Sequence, residues 1–395
     1  MEHAFDYLVL GAGMAGEAAA QALREADSDA TIGLLGDESH PPYDRPPLSK
    51  KLWKDGKEDD IWRPIDKARA AVTLQHRATR IDRGTHMVQD DKGDTWKYRK
   101  LLIATGGTPR KLPASGGGFI YYRTFDDYRQ LRQNVRVGAR IAVIGGGFIG
   151  SELAAAMAMN DCKVTMLFPD DAIGARVYPE ALADAVTAYY REKGVDVRAG
   201  ITVESGNATA QGAQLKLSDG STLAADAVVA GLGITPNVQL AEAAGLKVDN
   251  GIIVDDHLQT SDPDIYAAGD VASFPAPALG RRIRVEHENA AITMGHRAGL
   301  CMAGKDAPYD ELPFFYSDLF DLGYEAVGVL DSRLETVEQW VTPFREGVVY
   351  YLDAGRVRGV LLWNTWGQVD AARELIAAPG TFDAENVRGR LPAVA

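Results

Sequence analysis

The sequence predicts an α/β protein: two doubly wound parallel sheets, followed by a C-terminal α+β part with an antiparallel sheet. Three observations carry this. An apolar strand, a glycine-rich turn, an alanine-rich helix and a second strand occur in that order near the N-terminus, and the same succession returns from Arg140. Glycine is abundant, 41 of 395 residues, where an average protein has about 7%. Beyond Tyr309 the chain changes to short β-rich runs split by Gly, Pro and charged turns.

The first succession is Phe5–Leu10, then Gly11-Ala12-Gly13-Met14-Ala15-Gly16, then helix formers from Glu17 and a strand over Thr31–Leu35. Asp37 lies about 20 residues beyond Gly16. In such a unit the first glycine permits a tight turn, the second lets backbone approach a pyrophosphate, and the third lets helix and strand pack closely. Free N–H groups and the positive dipole end of the helix then face the phosphates, and the acid accepts from ribose hydroxyls. These are Rossmann-like dinucleotide-binding features. The second copy is Arg140–Ile144, Gly145-Gly146-Gly147-Phe148-Ile149-Gly150, helix over Ser151–Met159, strand over Lys163–Phe168 and Asp170. One chain therefore has sites for two nucleotide cofactors.

Leu101–Gly107 and Ala227–Pro236 read as apolar strands breaking into glycines, and Asp264–Asp270 as a strand ending in an acid. Such ends lie at the carboxyl edge of parallel sheets, where ligands bind. In the C-terminal part, Val327–Leu330, Thr336–Val341, Val348–Leu352 and Arg356–Trp363 read as strands and Val369–Ala377 as a helix. Ala114–Gly118 reads as a flexible hinge.

Composition narrows the chemistry. The 46% apolar and 25% charged content is that of a globular protein, and the net charge of −13 argues against a nucleic-acid binder. No apolar run reaches the length of a membrane span. Met1-Glu2-His3-Ala4 leads straight into a strand, without a basic stretch or cleavage signal, so a cytoplasmic location is expected. The only cysteines, Cys162 and Cys301, are too few for a cysteine-built zinc or iron–sulfur site and have no near partner. Both read as buried thiols.

These features, in this order, resemble the FAD-dependent pyridine nucleotide–disulfide oxidoreductase superfamily, over essentially the whole chain. The resemblance implies a discontinuous FAD-binding domain (1–120 and 247–305), an NAD(H)-binding domain (121–246) and an interface or dimerisation-type domain (306–395). Where many relatives keep a redox cysteine pair, this chain has Pro41-Pro42-Tyr43-Asp44-Arg45-Pro46-Pro47-Leu48-Ser49-Lys50. That decapeptide resembles oxygenase-coupled ferredoxin reductases and apoptosis-inducing factor. Val285-Glu286-His287-Glu288-Asn289-Ala290, Tyr316-Ser317-Asp318-Leu319, Gly323–Gly328 and Leu362-Trp363-Asn364 look like the apoptosis-inducing-factor version, in a compact bacterial form.

The resemblance pairs Lys50 with Glu152 as catalytic groups beside the flavin N5, a fixed cation that stabilises reduced flavin and a carboxylate that orients it. It assigns FAD to Gly11, Gly13, Met14, Ala15, Gly16, Asp37, Arg45, Lys50, Thr79, Ala104, Thr105, Gly106, Arg123, Gly269, Asp270, His287, Glu288 and Trp363. It assigns NAD to Gly146, Gly147, Phe148, Ile149, Glu152, Asp170, Arg176, Gly233 and Glu286. Asp170 favours NAD over NADP, because a 2′-phosphate would meet a carboxylate, while Arg176 could accept a phosphate. No metal is expected. The implied activity is an NADH-dependent FAD oxidoreductase passing electrons to a ferredoxin, quinone or oxygen. Alternatives are the ferredoxin reductase component of an oxygenase system, or an NADH-sensing protein that switches conformation or dimerises on reduction. A disulfide or persulfide reductase would need Cys162 or Cys301 at the flavin.

Overall fold

The computed structural model describes residues 1–113, 116–209 and 211–392. Its chain divides into two compact units, each made of separate stretches of sequence. The first comprises Met1–Asp44, Glu58–Thr108 and Thr235–Pro313; the second comprises Arg45–Lys57, Pro109–Ile234 and Phe314–Ala395.

The first unit is built on a sheet whose parallel strands run Ala71–Leu74, Ile32–Gly36, Glu2–Leu10 and Thr95–Ile103, with Ile265–Ala267 parallel to the last. Ala78–Asp82 and Met87–Asp90 extend it as an antiparallel meander. Ile32–Gly36 is buried throughout and Tyr7–Leu10 nearly so, as expected of parallel strands covered on both faces. The helix Met14–Ala26 connects the first two strands. Its alanines let a second helix, Glu288–Met302, come very close. A Cβ on Gly295 would lie 2.2 Å from the Ala15 carbonyl oxygen, and one on Gly299 2.5 Å from that of Ala19. The contact is backbone against backbone, which only small residues permit.

The second unit repeats the plan with a parallel sheet ordered Asp196–Ala199, Lys163–Phe168, Arg140–Ile144, Ala227–Ala230 and Ile120–Tyr121. A three-stranded antiparallel sheet, Val203–Thr209, Gly212–Leu217 and Thr222–Ala225, precedes Ala227. The C-terminal sheet is antiparallel throughout, in the order Phe314–Leu319, Leu322–Gly328, Arg356–Trp363, Glu346–Asp353 and Glu335–Thr342. The helix Val369–Ala377 packs on its middle strands. Tyr351 ties this sheet to the rest of the unit by donating from its hydroxyl to the Val177 carbonyl at 2.8 Å.

Three expectations change. Ala114 and Ser115 of the expected hinge lie outside the described residues, and Gly116–Gly118 are tied down. Gly116 N–H donates to Gly206 at 2.7 Å, and Ala208 N–H donates to Gly117 at 3.0 Å. The segment Arg45–Lys57, read as part of the first domain, makes its contacts within the second unit. Cys162 is only half-buried; Cys301 is buried. Among the described residues, no helix is long and apolar enough to cross a membrane.

Candidate functional site

In the first unit the glycine turn divides its three tasks among its three glycines. Gly11 has φ 119°, and a Cβ there would stand 2.2 Å from the Ala104 carbonyl oxygen. At Gly16 a Cβ would come within 2.0 Å of the Gly11 carbonyl oxygen. Gly13, the N-cap of the helix, has nothing within 4 Å of the same position. The outer glycines thus close the turn on the sheet, and the middle one leaves space where a phosphate can meet helix N–H groups. Met14 and Ala15 form the first helical residues and are nearly buried. Asp37 stands exposed just past the strand Ile32–Gly36.

Other first-unit residues gather at neighbouring strand ends. Ala104 N–H donates to Leu10, closing the sheet at 2.8 Å. Thr105 exchanges two hydrogen bonds with Asn237, and Gly106 (φ 61°) accepts from the Asn237 N–H at 2.9 Å. Gly269 (φ 76°) and Asp270 open a short 3₁₀ turn after Ile265–Ala267. The Asp270 carbonyl accepts from Arg284 at 3.0 Å. Arg284 also pairs with Glu286 at 2.8 Å. His287 is the N-cap of the helix that Glu288 begins. Burial pushes the His287 imidazole down to about 4, against the opposing pull of Asp270. It is therefore neutral at physiological pH. Beside it, Asn289 has a buried side-chain oxygen with no hydrogen-bond partner within the protein, an acceptor left for a ligand.

The second unit has a matching cradle. Gly145 has φ 122° with a Cβ position 2.3 Å from the Gly231 carbonyl oxygen, and a Cβ on Gly150 would lie 2.0 Å from the Gly145 oxygen. Gly146 abuts the Phe168 ring, and Gly147 faces open space. Phe148 and Ile149 at the helix start are exposed, though apolar, at 36% and 38%. Phe148 touches Phe315 of the C-terminal sheet, with ring centroids 5.2 Å apart. Gly233 (φ 76°) also faces open space. Asp170, beyond the strand Lys163–Phe168, accepts from Nε and Nη2 of Arg176 on one oxygen at 3.1 and 3.0 Å.

The same unit places a buried ion pair between Glu152 of the helix that opens this cradle and Lys50. Lys50 Nζ lies 2.8 Å from Glu152 Oε1, with the two side chains 12% and 3% exposed. Lys50 sits between two 3₁₀ turns, Pro46–Leu48, which begins with two prolines, and Lys51–Trp53, which it caps. Its ammonium lies 5.1 Å from the Tyr316 ring centroid. Arg45 precedes these turns and donates to the Arg123 carbonyl at 2.9 Å.

Two expected cofactor residues make contacts within the protein. Trp363 is fully buried, stacks on Tyr324 at 5.6 Å, and donates its indole N–H to the Phe344 carbonyl at 3.0 Å. The Thr79 hydroxyl donates to the Gln89 carbonyl at 3.1 Å inside the meander. The sequence reading gave no role to Ser49 or Ser317, whose hydroxyls bond Glu152, or to the Glu17–Arg63 pair in the first unit. A signal was present for Glu17: it is the one acid in the first turns of an otherwise alanine-rich helix.

Comparison with known proteins places these features in context. The pyridine nucleotide-disulphide oxidoreductase model matches residues 5–295, and the C-terminal model of apoptosis-inducing factor, mitochondrion-associated, matches 298–343. The chain is 37% identical to the ferredoxin–NAD(+) reductase component of an anthranilate 1,2-dioxygenase system from Burkholderia cepacia, over 96% of each chain. It is 35% identical to apoptosis-inducing factor 1 of Dictyostelium discoideum, covering 96% of this chain and 79% of that one. The reductase in the crystal structure of a covalent putidaredoxin reductase–putidaredoxin complex superposes with a TM-score of 0.88 at 32% identity, covering 94% of this chain and 92% of that one. Identity does not separate the two subfamilies that the decapeptide resembles.

Proposed function

This chain belongs to the pyridine nucleotide-disulphide oxidoreductase family and is an NAD(H)-dependent flavin oxidoreductase, in which we propose that Lys50 and Glu152 form the catalytic charge pair. Its cofactors are FAD and NAD(H). We assign FAD to the first unit and NAD(H) to the parallel-sheet part of the second. The open Cβ positions at Gly13 and Gly147 and the unsatisfied Asn289 oxygen fit bound nucleotides.

When bound, FAD supplies the hydride-accepting and electron-passing chemistry. The protein's part is binding, orientation and charge. Helix N–H groups after Gly13 and Gly147 would donate to pyrophosphate oxygens, and Asp37 and Asp170 would accept from ribose hydroxyls. Lys50 presents a positive charge that needs no rearrangement during the reaction, because Glu152 already holds it. Neutral His287 offers a hydrogen-bonding group without adding a second cation.

The observation that carries this reading is the buried Lys50–Glu152 pair. A charge pair buried this deeply is a poor device for stability alone. Anaerobic mixing of the purified holoenzyme with NADH is the test. Loss of oxidised-flavin absorbance is expected, and an unbleached spectrum overturns the reading.

For the electron acceptor we propose a ferredoxin, on the strength of the relatives that carry that partner in their names. Rates with a ferredoxin panel, a quinone and oxygen test it. A quinone or oxygen turned over faster than every ferredoxin overturns it. Sedimentation with and without NADH tests whether the chain forms a homodimer that responds to reduction.

A further inference from the structure

Glu152 is held by more than its lysine. Oε1 accepts from Lys50 at 2.8 Å and from the Ser317 hydroxyl at 2.6 Å, and Oε2 accepts from the Ser49 hydroxyl at 2.6 Å. Ser49 and Ser317 are 4% and 1% exposed, and Glu152 is 3% exposed. Three stretches of chain thus converge on one carboxylate: the proline-stiffened turn at Ser49-Lys50, the helix Phe148–Met159 and the strand Phe314–Leu319.

We propose that Ser317 and Ser49 are positioning residues that lock the plane of the Glu152 carboxylate and thereby fix the Lys50 ammonium. The proposal rests on the reading of Lys50 and Glu152 given above. The terminal torsion of a glutamate is broad and roughly two-fold, so one ion pair does not define where its second oxygen points. A hydroxyl on each oxygen does. With Ser49 on Oε2 and Ser317 sharing Oε1, the carboxylate can neither turn nor follow a moving lysine without breaking a charge-assisted hydrogen bond. Lys50 is then limited to one oxygen and the face of Tyr316.

The surroundings make this restraint effective. Burial pushes the phenols of Tyr178, Tyr190 and Tyr324 well above their ordinary range, and the nearby Glu152 charge adds to the shift at each. In so dry a setting, hydrogen bonds to a charge are stronger than in water, and small displacements of that charge matter more. The C-terminal sheet therefore contributes to the charge pair directly, through a hydroxyl on its first strand.

The test uses holoenzyme carrying Ser317→Ala, Ser317→Thr or Ser49→Ala, with two readouts. One is the limiting rate of flavin reduction by NADH, measured together with its half-saturating NADH concentration. The other needs no turnover: acylation of Lys50 by acetic anhydride relative to exposed Lys51, read by mass spectrometry on the oxidised protein. Ser317→Ala is expected to slow reduction about tenfold and shift half-saturation less than about twofold, the pattern of a positioning loss. Lys50 labelling should rise about threefold or more against Lys51 as the ammonium becomes mobile. Ser317→Thr, which keeps the hydroxyl on a strand that suits a β-branched residue, should restore both. If Ser317→Ala does not fold, Ser49→Ala gives the same two readouts.

Unchanged reduction and unchanged labelling in a folded alanine variant overturn the proposal. If NADH fails to reduce the wild-type flavin, the functional reading falls, while the labelling ratio still decides whether the serines hold the lysine.

Discussion

Arg63 Nε lies 2.6 Å from Oε2 of Glu17, a fully buried carboxylate in the helix that begins at the first glycine turn. The same guanidinium reaches Asp44 at 2.7 Å, and Gln21 also donates to Glu17. Removing one member of a buried pair leaves the other uncompensated. Arg63→Ala is expected to lower unfolding stability by about 3–5 kcal/mol. Glu17→Leu with Arg63→Leu should cost much less than the two single changes together. Denaturant unfolding checks this, and a loss below about 1 kcal/mol in Arg63→Ala contradicts it.

The glycines of the first turn should separate folding from cofactor retention. Gly16→Ala forces a Cβ against the Gly11 carbonyl at 2.0 Å and is expected to destabilise the protein by about 2 kcal/mol or more. Gly13→Ala has room, so the melting temperature of the FAD-free protein should stay within about 2 °C of wild type. Its FAD content after purification should fall, because the new methyl occupies phosphate space. Full FAD occupancy in Gly13→Ala would remove that glycine from the cradle.

His287 predicts a pH dependence. Its folded pKa is about 4 against an ordinary 6.5, so between those values the unfolded chain binds more protons than the native one. Stability therefore rises with pH across that window, and falls as pH drops from 6.5 to about 4. The His287 contribution to that fall is on the order of 3 kcal/mol. His287→Asn should flatten this part of the profile. Parallel profiles for the two proteins from pH 4 to 7.5 would show that His287 is not the group responsible.

Asp170 should set the nucleotide preference. Its carboxylate, proposed above to accept from the ribose, has Arg176 bound to one oxygen. Asp170→Ala removes the repulsion against a 2′-phosphate and frees the guanidinium to accept it. The kcat/KM ratio of NADPH to NADH is expected to rise about tenfold or more. An unchanged ratio would place the discrimination elsewhere.

The two thiols should be dispensable. Burial raises the pKa of both, which disfavours the nucleophilic thiolate. Cys162 sits near the Arg136 and Asn160 carbonyls, and Cys301 faces that of Ala307. The Cys162→Ser, Cys301→Ser protein is expected to retain NADH-dependent flavin reduction within about twofold. A collapse of that rate, with flavin retained, would bring sulfur chemistry back.

Much of the architecture was legible because it is written in local periods. The second glycine turn sits between strands Arg140–Ile144 and Lys163–Phe168, and both begin and end where the apolar pattern does. The C-terminal strand Arg356–Trp363 and the helix Val369–Ala377 match equally well. The sheet Val203–Thr209, Gly212–Leu217 and Thr222–Ala225 was not read from the sequence: its middle strand alternates cleanly, but the flanking strands carry only Val203 and Leu223 as large apolar residues.

By itself the sequence determined two nucleotide cradles, because turn geometry, helix dipole and close packing act over a few neighbouring residues and leave glycines at fixed spacing. It also showed that Cys162 and Cys301 have no near partner in sequence, which argues against a cysteine relay. Only the tertiary structure decided which charges and hydroxyls meet. Ser49, Glu152 and Ser317 lie on three distant segments, and nothing local marks one serine as bound to a buried carboxylate. Trp363 makes the same point: the resemblance assigned it to the cofactor, and its packing against Tyr178 and Tyr324 in the interior is something no local pattern marks. Long-range hydrogen bonds depend on how sheets and helices dock, and docking is settled by the whole chain at once.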